Sequence, residues 1–322
     1  MAKVYNFSAG PAVLPAEVLE RAREELQERG AGINIFAPDL QRFVEAGLVD
    51  PDIPTCRVGQ YQFRWRAPRE PATGVVVGSH QVDSYALHWG DLYQSLRRRV
   101  PDSCYRAGSE VLEVRDGDRC ASVVLADGDR GDFDLVIAAD GYASLGRQLL
   151  FPQATLDYAG IVAWRGLLPE SELRDPHLLH ETLAGVGMPS SLSVFYFVPG
   201  AGGVRPGQRL VNWLVYQPVP EADLRDCLTG SDGLTRANLV PPGYLRGEQL
   251  AQFNALASRE LPGSFADICM RSRDTFAQAI YQGSVPGYAR GRVCLLGDAG
   301  ALASPASAAG ALKAIDDALS LD

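Results

Sequence analysis

Hydrophobic residues recur at two different spacings along the chain, and each spacing predicts a type of secondary structure. Spacings of three and four residues indicate amphipathic helices, whereas alternation indicates strands. The helical spacing occurs over four segments, residues 11–28, 38–47, 82–100 and 247–259. Strand-like alternation covers 57–80, and residues 105–137 are interrupted by Asp-Gly pairs, which are strong hairpin signals. The chain is therefore expected to contain both helices and strands.

The middle and the end of the chain add further strands. The runs "SLSVFYFVPG" and "RLVNWLVYQPV" are joined by "PGAGGVRPGQ", which predicts a hairpin. Two short runs, "FDLVIAAD" and "RVCLLGD", are apolar on both faces and end in aspartate. Such runs are typical of fully buried strands. Small residues follow the second run and lead into a final helix.

Composition and charge exclude several classes of function. The net charge of −9 argues against a general nucleic-acid binder, which needs a basic face to displace counterions. The longest apolar runs are strand-sized, and the first residues lack the apolar segment of a signal peptide. Six scattered cysteines without CxxC spacing are expected to be free thiols. We therefore expect a cytoplasmic protein that does not contact membranes.

Two segments share one design, in which a buried strand ends in Gly and Asp before a small-residue loop and a helix. They are "VIAADGYASLGR" and "LLGDAGALASPASAAGALKAIDDA". Ligands in such sheets bind beyond the carboxyl ends of the strands, where glycine admits a close ligand and helix N-termini offer amide donors. The candidate binding residues are Asp140, Gly141, Arg147, Gly297, Asp298, Pro305 and Gly310. We expect the two strand ends to converge on one ligand, although each Asp-Gly pair alone is equally compatible with a simple turn.

These paired motifs resemble the two flavin-binding motifs of the FAD-dependent aromatic-ring hydroxylases, the p-hydroxybenzoate hydroxylase-like monooxygenases. The loop "SPASAAGALKAIDDALSL" and the "NWLVY" strand are most similar to the 2,6-dihydroxypyridine 3-monooxygenase branch. The resemblance covers about residues 25–322 and implies an α/β (α+β) fold. In that fold a truncated, doubly wound FAD-binding domain (29–157 and 285–322) is interleaved with a mostly antiparallel substrate domain (158–284).

The resemblance also implies a reaction and roles for individual residues. FAD, reduced by NAD(P)H and then reacting with O₂, would hydroxylate a small aromatic or N-heteroaromatic substrate. Asp298 would hold the ribityl hydroxyls, and the loop 297–310 would lie at the pyrophosphate and the isoalloxazine. Asp140 and Arg147 would support the flavin phosphates and the nicotinamide donor, and Arg29 would lie near the flavin. No catalytic residue is singled out, no metal site is expected, and a homodimer is possible within this family.

The sequence departs from the family at two places. Family members open with a βαβ unit that carries GxGxxG, and no such segment occurs here; "GAGG" at 200–203 lies in a predicted hairpin rather than between a strand and a helix. Trp89 stands where the family usually has an arginine that contacts the flavin. Both departures bear on how FAD would be held.

The first residues point to a different class of enzyme. The stretch "VYNFSAGPAVLPAEVLERAREEL" resembles the N-terminus of phosphoserine aminotransferase, a PLP enzyme, over residues 1–26. A PLP enzyme needs a lysine for its internal aldimine, and this chain has only Lys3 and Lys313. We therefore interpret the chain as a chimera with an aminotransferase-like leader (1–28). A non-catalytic flavoprotein fragment and, less favoured, an aminotransferase remain the alternatives.

Two smaller groups of residues have competing interpretations. His177 and His180 have the HxxH spacing, but no matching acidic or cysteine ligand accompanies them, which favours a solvated helix. Tyr196, Trp213 and Tyr216 lie on predicted strands. The resemblance places these three rings over the substrate, whereas alternation alone favours packing within the sheet.

Overall fold

The computed structural model describes residues 32–67, 72–189, 191–303 and 310–321. The predicted helix over 11–28, Arg29 and Pro305 lie outside these ranges. The described chain forms two compact units. The first, here the strand-end unit, contains 97–159 and 281–321, and the second, the sheet unit, contains 32–96 and 160–280. Residues 32–96 belong to the sheet unit, and the FAD-binding domain expected over 29–157 and 285–322 stays a prediction.

Helices are short and few among the described residues. The α-helices are α1 (Ala37–Glu45), α2 (Trp89–Arg97), α3 (Leu145–Leu150), α4 (Glu221–Cys227), α5 (Gly247–Glu260), α6 (Gly263–Arg271) and α7 (Gly310–Leu319). The helices predicted over 38–47 and 247–259 are confirmed as α1 and α5. None of these helices is long and apolar enough to cross a membrane.

Strands make up most of the regular structure, which confirms the mixed fold class. They are β1 (Gly32–Phe36), β2 (Cys56–Trp65), β3 (Val75–His88), β4 (Val111–Arg115), β5 (Ala121–Leu125), β6 (Arg130–Phe133), β7 (Val136–Ala138), β8 (Asp157–Pro169), β9 (Thr182–Met188), β10 (Ser191–Val198), β11 (Leu210–Pro218), β12 (Leu239–Val240), β13 (Phe276–Ser284), β14 (Ala289–Arg290), β15 (Val293–Leu295) and β16 (Ala301–Leu302).

The largest sheet has the order β1-β3-β2-β9-β10-β11-β8-β13-β12, and β16 adds to β13. Its pairs are antiparallel where adjacent strands are joined by hairpins, and the predicted β10–β11 hairpin is confirmed. One face of this sheet packs on α5 and α6. Trp213 of β11 stacks on Phe253 of α5 with ring centroids 5.6 Å apart, and Phe195 of β10 contacts Phe265 of α6 at 4.7 Å. These buried rings form the core of the sheet unit.

The helix predicted over 82–100 is wrong in its first part. Residues up to His88 continue β3, and only Trp89–Arg97 form a helix. Two neighbouring strands hold this segment extended, because Tyr85 lies opposite Ile35 of β1 on one side and Arg57 of β2 on the other. Pairing on both sides supplies the backbone with partners, and this long-range contact overrides the local helical spacing.

The strand-end unit contains two small sheets. In one, β4, β5 and β6 form an antiparallel meander, which confirms the hairpins expected from the Asp-Gly pairs. Gly128, in the Asp127-Gly128 pair between β5 and β6, has φ +86, a left-handed conformation that glycine adopts without steric cost. In the other sheet, β15 lies between β14 and β7, and β7 runs parallel to it.

Only one of the two apolar strands is buried as expected. All three residues of β15 are buried. On β7 and just before it, Ile137 is 45% exposed and Leu135 is 51% exposed. Within the described ranges β7 pairs with β15 alone, so its far edge has no neighbouring strand to cover these side chains. The prediction that this run is buried on both faces is therefore wrong.

Candidate functional site

The two aspartate-bearing strand ends lie side by side in the strand-end unit. Strands β7 and β15 are parallel, with Ala138 opposite Leu295. The pairing continues past the strands, since the N–H of Leu296 donates to the carbonyl of Ala138 at 3.0 Å. Asp140 and Asp298 follow these ends by two and three residues, so both enter loops at the same edge of the sheet. This edge is where parallel sheets bind ligands.

Arg147 joins the two loops. Its side chain is 6% exposed, and its guanidinium donates to the carbonyl oxygens of Asp298 at 3.3 Å and Ala299 at 3.2 Å. It also donates to the carbonyl of Tyr142 in its own loop. Burial lowers the pKa of Arg147, and the nearby charge of Asp140 opposes that change. Because arginine stays charged in proteins, it acts here as a fixed cation that holds backbone carbonyls together.

The first loop is organised by side chains that cap α3. Asp140 accepts from the N–H of Leu145 at 2.7 Å, and Ser144 accepts from the N–H of Arg147 at 2.9 Å. Gly141 has φ +72 and open space where a side chain would stand. The other carboxylate oxygen of Asp140, Oδ1, is buried without a hydrogen-bond partner. An unpaired buried carboxylate oxygen is costly, which marks this atom as an acceptor for a donor from elsewhere.

Gly146 sets how closely α3 approaches the strands. A Cβ atom added there would lie 2.3 Å from Cβ of Ala138 and 2.9 Å from a methyl group of Leu295. Real Cβ atoms do not approach so closely, so only glycine allows α3 to rest directly on β7 and β15. The close packing keeps the loop that carries Asp140 at the strand ends.

The second loop is held by an ion pair on α7. Asp317 accepts from the N–H of Gly297 at 2.9 Å, and Lys313 donates to the carbonyl of Gly297 at 3.3 Å. Lys313 and Asp317 also pair with each other at a spacing of one helical turn. Gly297 has φ +56, which favours glycine. We call the pair Lys313 and Asp317, with the two bonds that they make to Gly297, the Gly297 clamp. Together they bond both the N–H and the carbonyl of the residue before Asp298.

Asp298 presents a carboxylate with no donor among the described residues. Burial raises the pKa of this carboxyl group, and the charge of Lys313 opposes the rise. Its own carbonyl is taken by Arg147, so the backbone is fixed while the side chain is left available. A desolvated, partner-free carboxylate on a fixed backbone is suited to accept hydrogen bonds from hydroxyl groups of a ligand.

The remaining predicted site residues have different positions. Gly310 begins α7 and has no atom within 4 Å of where a Cβ would stand. Trp89 stacks on Tyr93 in the sheet unit, with ring centroids 5.3 Å apart. His177 lies in a 3-10 helix rather than on an α-helix face, and the described residues contain no group of three metal ligands.

Sequence reasoning missed Lys313 and Asp317 as positioning residues. Their spacing of four residues on a predicted helix was the available signal, but nothing in the sequence shows that the pair reaches Gly297.

The contacts of Lys313 also bear on the aminotransferase alternative. Burial lowers the pKa of Lys313, but hydrogen bonds and charge from Asp317 and Tyr288 outweigh it and leave the pKa raised. An aldimine-forming lysine needs the opposite, a free amine.

The sheet unit carries a second set of polar side chains on the face away from α5 and α6. Register places Tyr196 opposite Asn212, and Arg165 opposite Leu214. Tyr216, two residues from Leu214, shares that face. Trp213 points to the other face, where it is fully buried and donates from Nε1 to Ser272 at 2.7 Å. Of the three rings expected over the substrate, Tyr196 and Tyr216 thus share the face away from α5 and α6, where both are largely buried, and Trp213 lies on the other face.

Comparison with known proteins gives these features a context. A family model described as FAD binding domain-like matches residues 158–282. The 2,6-dihydroxypyridine 3-monooxygenase of Paenarthrobacter nicotinovorans is 26% identical over 314 residues, which cover 96% of this chain and 76% of that protein. The solved 2,6-dihydroxypyridine-3-hydroxylase from Arthrobacter nicotinovorans superposes with a TM-score of 0.80 at 25% identity, covering 91% of this chain and 72% of the other.

Two further matches complete the comparison. Klebsiella pneumoniae HpxO, solved with FAD and uric acid, has the same fold with a TM-score of 0.67 at 19% identity, covering 90% of this chain and 69% of its own. The phosphoserine aminotransferase of Nitrosomonas europaea is 64% identical over 37 residues, which are 11% of this chain and 10% of that enzyme. The chain is thus similar over most of its length to FAD-dependent aromatic and heteroaromatic monooxygenases, and a short segment in its N-terminal region is similar to phosphoserine aminotransferase.

Proposed function

We propose that this protein binds FAD at the strand-end site and hydroxylates a small aromatic or N-heteroaromatic ring, with NAD(P)H as the reductant and O₂ as the oxidant. The observation that carries the proposal is the pair of adjacent strand ends, at which Arg147 fixes the backbone of Asp298 and leaves its carboxylate without a donor. Relatives that span most of the chain act on hydroxylated pyridines, by their names, which supports the choice of ring.

The residues present fit the hydroxyl-bearing ribityl portion of FAD. The carboxylate of Asp298 supplies the acceptor that a ribityl hydroxyl needs, and the unpaired Oδ1 of Asp140 is a second acceptor without a donor. Gly141 and Gly310 offer backbone that a ligand can approach, because no atom lies within 4 Å of either Cβ position. These are the features that a ligand rich in hydroxyl groups would complete.

Bound FAD would supply the redox chemistry, by accepting a hydride and activating oxygen. The protein residues hold and shield it. Arg147 keeps the two loops joined, and the Gly297 clamp sets the direction of the chain at Asp298. Burial of Asp298 would strengthen the hydrogen bonds that its carboxylate accepts from a ligand, since polar contacts are worth more where water is excluded. The candidate cofactor-binding residues are Asp140, Gly141, Arg147, Gly297, Asp298 and Gly310, with Arg29 and Pro305 proposed from sequence alone.

We assign substrate binding to the sheet unit. The face of its sheet away from α5 and α6 carries Tyr196, Tyr216 and Arg165, whose side chains are of the types that contact a ring and its polar substituents. Aromatic side chains stack on flat rings, and hydroxyl groups orient them. We also propose that the protein works in the cytoplasm as a homodimer.

The function is tested by incubating purified protein with FAD, NADH or NADPH, and 2,6-dihydroxypyridine, 6-hydroxynicotinate or salicylate. Substrate-dependent oxidation of the nicotinamide, together with a product heavier by one oxygen atom, is the expected result. Hydrogen peroxide without oxygenated product would indicate reduction of FAD uncoupled from hydroxylation. No oxidation by FAD-loaded protein with any pair would contradict the proposal.

A specific observation favours a second candidate, a flavoprotein that binds ligand without turnover. Ile137 of β7 and Leu135 just before it are exposed, and among the described residues β7, which leads to Asp140, pairs with β15 alone. A parallel sheet is ordinarily covered on both faces, so this edge exposes apolar surface. Saturable binding of FAD and of an aromatic acid, with no oxidation of either nicotinamide, would support this candidate over the enzyme.

A further inference from the structure

Strand β3 has an unpaired edge along its first half. On one side, β2 pairs with it from Val75 to Ala86. On the other side, β1 pairs with it only from Ser84 onward. Among the described residues no strand pairs with residues 75–83 on that second side. The backbone N–H and C=O groups that point outward along this stretch are therefore open to a further strand.

Two irregularities in the pairing of β2 with β3 divide this edge. Between them the register is continuous, with residues 78–81 opposite residues 60–63. The first irregularity leaves Val77 without an opposite residue, and this side chain is 65% exposed. Bulges often protect an edge by twisting it away from other chains, but here the bulged residue is apolar. The edge thus offers a regular stretch that is flanked by an exposed valine.

The edge lacks the residues that usually keep edge strands from pairing. Lysine, proline and inward-pointing charges are the common protective devices. Residues 75–83, "VVVGSHQVD", contain no Lys, Arg, Glu or Pro, and with histidine neutral Asp83 is their only charge. Arg57 of β2 lies 3.9 Å from Asp83, so this charge is already matched within the chain. The same edge of a second molecule therefore meets little like-charge repulsion.

Apolar side chains surround the unpaired edge. Four large ones on β1, β2 and β3 are each more than two-fifths exposed: Phe36, Phe63, Trp65 and Val76. Phe63 lies opposite Gly78, and no atom lies within 4 Å of the Cβ position of this glycine. The space beside Phe63 is therefore open to a side chain of an added strand. Exposed apolar side chains gathered in one region are typical of an interaction surface.

The opposite end of the sheet unit is closed. There β13 pairs with β12, and Ala277, Ala279 and Ile280 of β13 are buried. The N–H of Ala279 also donates to the carbonyl of Asn238 at 2.7 Å. The two ends of the main sheet therefore differ, because the end at β12 is covered and the stretch of β3 is exposed.

We propose that residues 75–83 of β3 pair antiparallel with the same residues of a second copy of this chain, so that the two main sheets become one continuous sheet. Antiparallel pairing of identical strands relates the two molecules by a two-fold axis, the commonest symmetry of homo-oligomers. The outward N–H and C=O groups gain partners, and the valines at the edge are covered. The inference gives the proposed homodimer its interface and rests on that part of the proposed function alone.

The oligomeric state of the full chain, with and without FAD, tests this interface. Sedimentation velocity and light scattering are expected to give the wild type twice the mass of the chain at high micromolar concentration. Val77→Lys places a charge in the edge and is expected to raise the dissociation constant of the dimer about tenfold or more. Leu234→Lys is the matched control, because Leu234 is 63% exposed but lies between α4 and β12. It should dimerise as the wild type does.

Hydrogen exchange shows whether the contact is made by strand pairing. In the wild type the backbone amides of residues 75–83 are expected to exchange more slowly as the dimer forms, whereas those of residues 228–236 around Leu234 stay unchanged. Thermal unfolding shows whether each variant is folded. The exchange readout uses the wild type alone, so it decides the outcome even where Val77→Lys fails to fold.

The outcomes separate the interface from the enzyme function. A wild type that stays monomeric, or a dimer in which the exchange of residues 75–83 is unchanged, would overturn the interface, while FAD binding by the same samples decides the flavoprotein function. Slow exchange of these residues in a monomer would show that another part of the same chain covers the edge. A complex of any mass other than twice that of the chain would place a different partner there. Both results overturn the proposal.

One combination of results removes the function and keeps the interface. It is a dimer that Val77→Lys weakens, with slowed exchange along β3, in a protein that takes up no FAD.

Discussion

The guanidinium of Arg147 lies 3.3 Å from the carbonyl oxygen of Asp298, although 151 residues separate them in the chain. The guanidinium also donates to the carbonyl oxygen of Ala299 at 3.2 Å and to that of Tyr142, so it bonds three backbone carbonyls. One side chain thereby joins the loops that follow two parallel strands.

Replacing Arg147 by methionine should therefore separate the loops. Methionine fills similar space but donates no hydrogen bonds, so three carbonyl groups lose their partner. We expect the free energy of unfolding to fall by about 2–4 kcal/mol and FAD binding to be lost. Urea denaturation and flavin titration measure the two effects.

The matched control is Arg57→Met, which removes an exposed arginine paired with Glu181. An exposed ion pair contributes about 0–1 kcal/mol, so this variant should keep wild-type stability and FAD affinity. Equal behaviour of the two variants would show that Arg147 is not a special connection.

Gly146→Ala tests the close approach of α3 to the strands. Alanine normally stabilises a helix relative to glycine, but here its methyl group would meet Cβ of Ala138 at 2.3 Å. We expect a loss of about 1–3 kcal/mol from overpacking. Gly247→Ala, at the start of α5 with no atom near its Cβ position, should be neutral or stabilising. Urea denaturation is thus predicted to show a loss of stability for Gly146→Ala and none for Gly247→Ala.

The free energy of unfolding is expected to depend on pH through Asp298, and the direction follows from the raised pKa of this group. Burial raises its pKa in the folded protein above the ordinary value of 3.8, so the folded state binds the proton more tightly than the unfolded state. Its contribution to stability is full below that value and is lost as pH rises through the raised pKa. Asp298→Asn should remove this loss and unfold at a higher temperature than wild type at neutral pH. A lower unfolding temperature for the variant at neutral pH would contradict the assignment.

The two faces of the main sheet should respond differently to substitution. Trp213→Phe shrinks a fully buried ring and removes its bond to Ser272, so stability should fall by about 1–3 kcal/mol while salicylate binding is unchanged. Tyr216→Phe removes a hydroxyl from the opposite face and keeps the ring, so stability should change by less than about 1 kcal/mol while salicylate binding weakens. Denaturation and titration of both variants check the pair, and loss of ligand binding in Trp213→Phe would show that the faces are misassigned.

Much of the strand-end site could be predicted from the sequence, because its signals are local. A short apolar run followed by Gly and Asp indicates a strand end, and two such runs indicate a shared edge. The contacts that complete the site are not local. Arg147 was expected near the ligand, but its bonds to the backbone at Asp298 depend on the parallel pairing of β7 and β15. The role of Lys313 and Asp317 at Gly297 depends in the same way on where α7 lies.

The errors in the fold have a common physical cause. Residues 82–88 have helical spacing but form part of β3, because strands on both sides pair with them. The run around Ile137 is apolar on both faces but is exposed, because only β15 pairs with β7 in the described ranges. In both cases the neighbouring strands decide the outcome, and a sequence window cannot show which neighbours are present.

The most direct test of the central claim is a titration of FAD into the purified protein, followed by quenching of flavin fluorescence, with wild type and Asp298→Ala in parallel. Saturation at one FAD per chain for the wild type, and affinity weaker by about tenfold or more for the variant, are predicted from the loss of a hydrogen bond to a charged acceptor. Absence of saturable binding to the wild type, or identical binding by the two proteins, would contradict the claim that these strand ends hold the flavin.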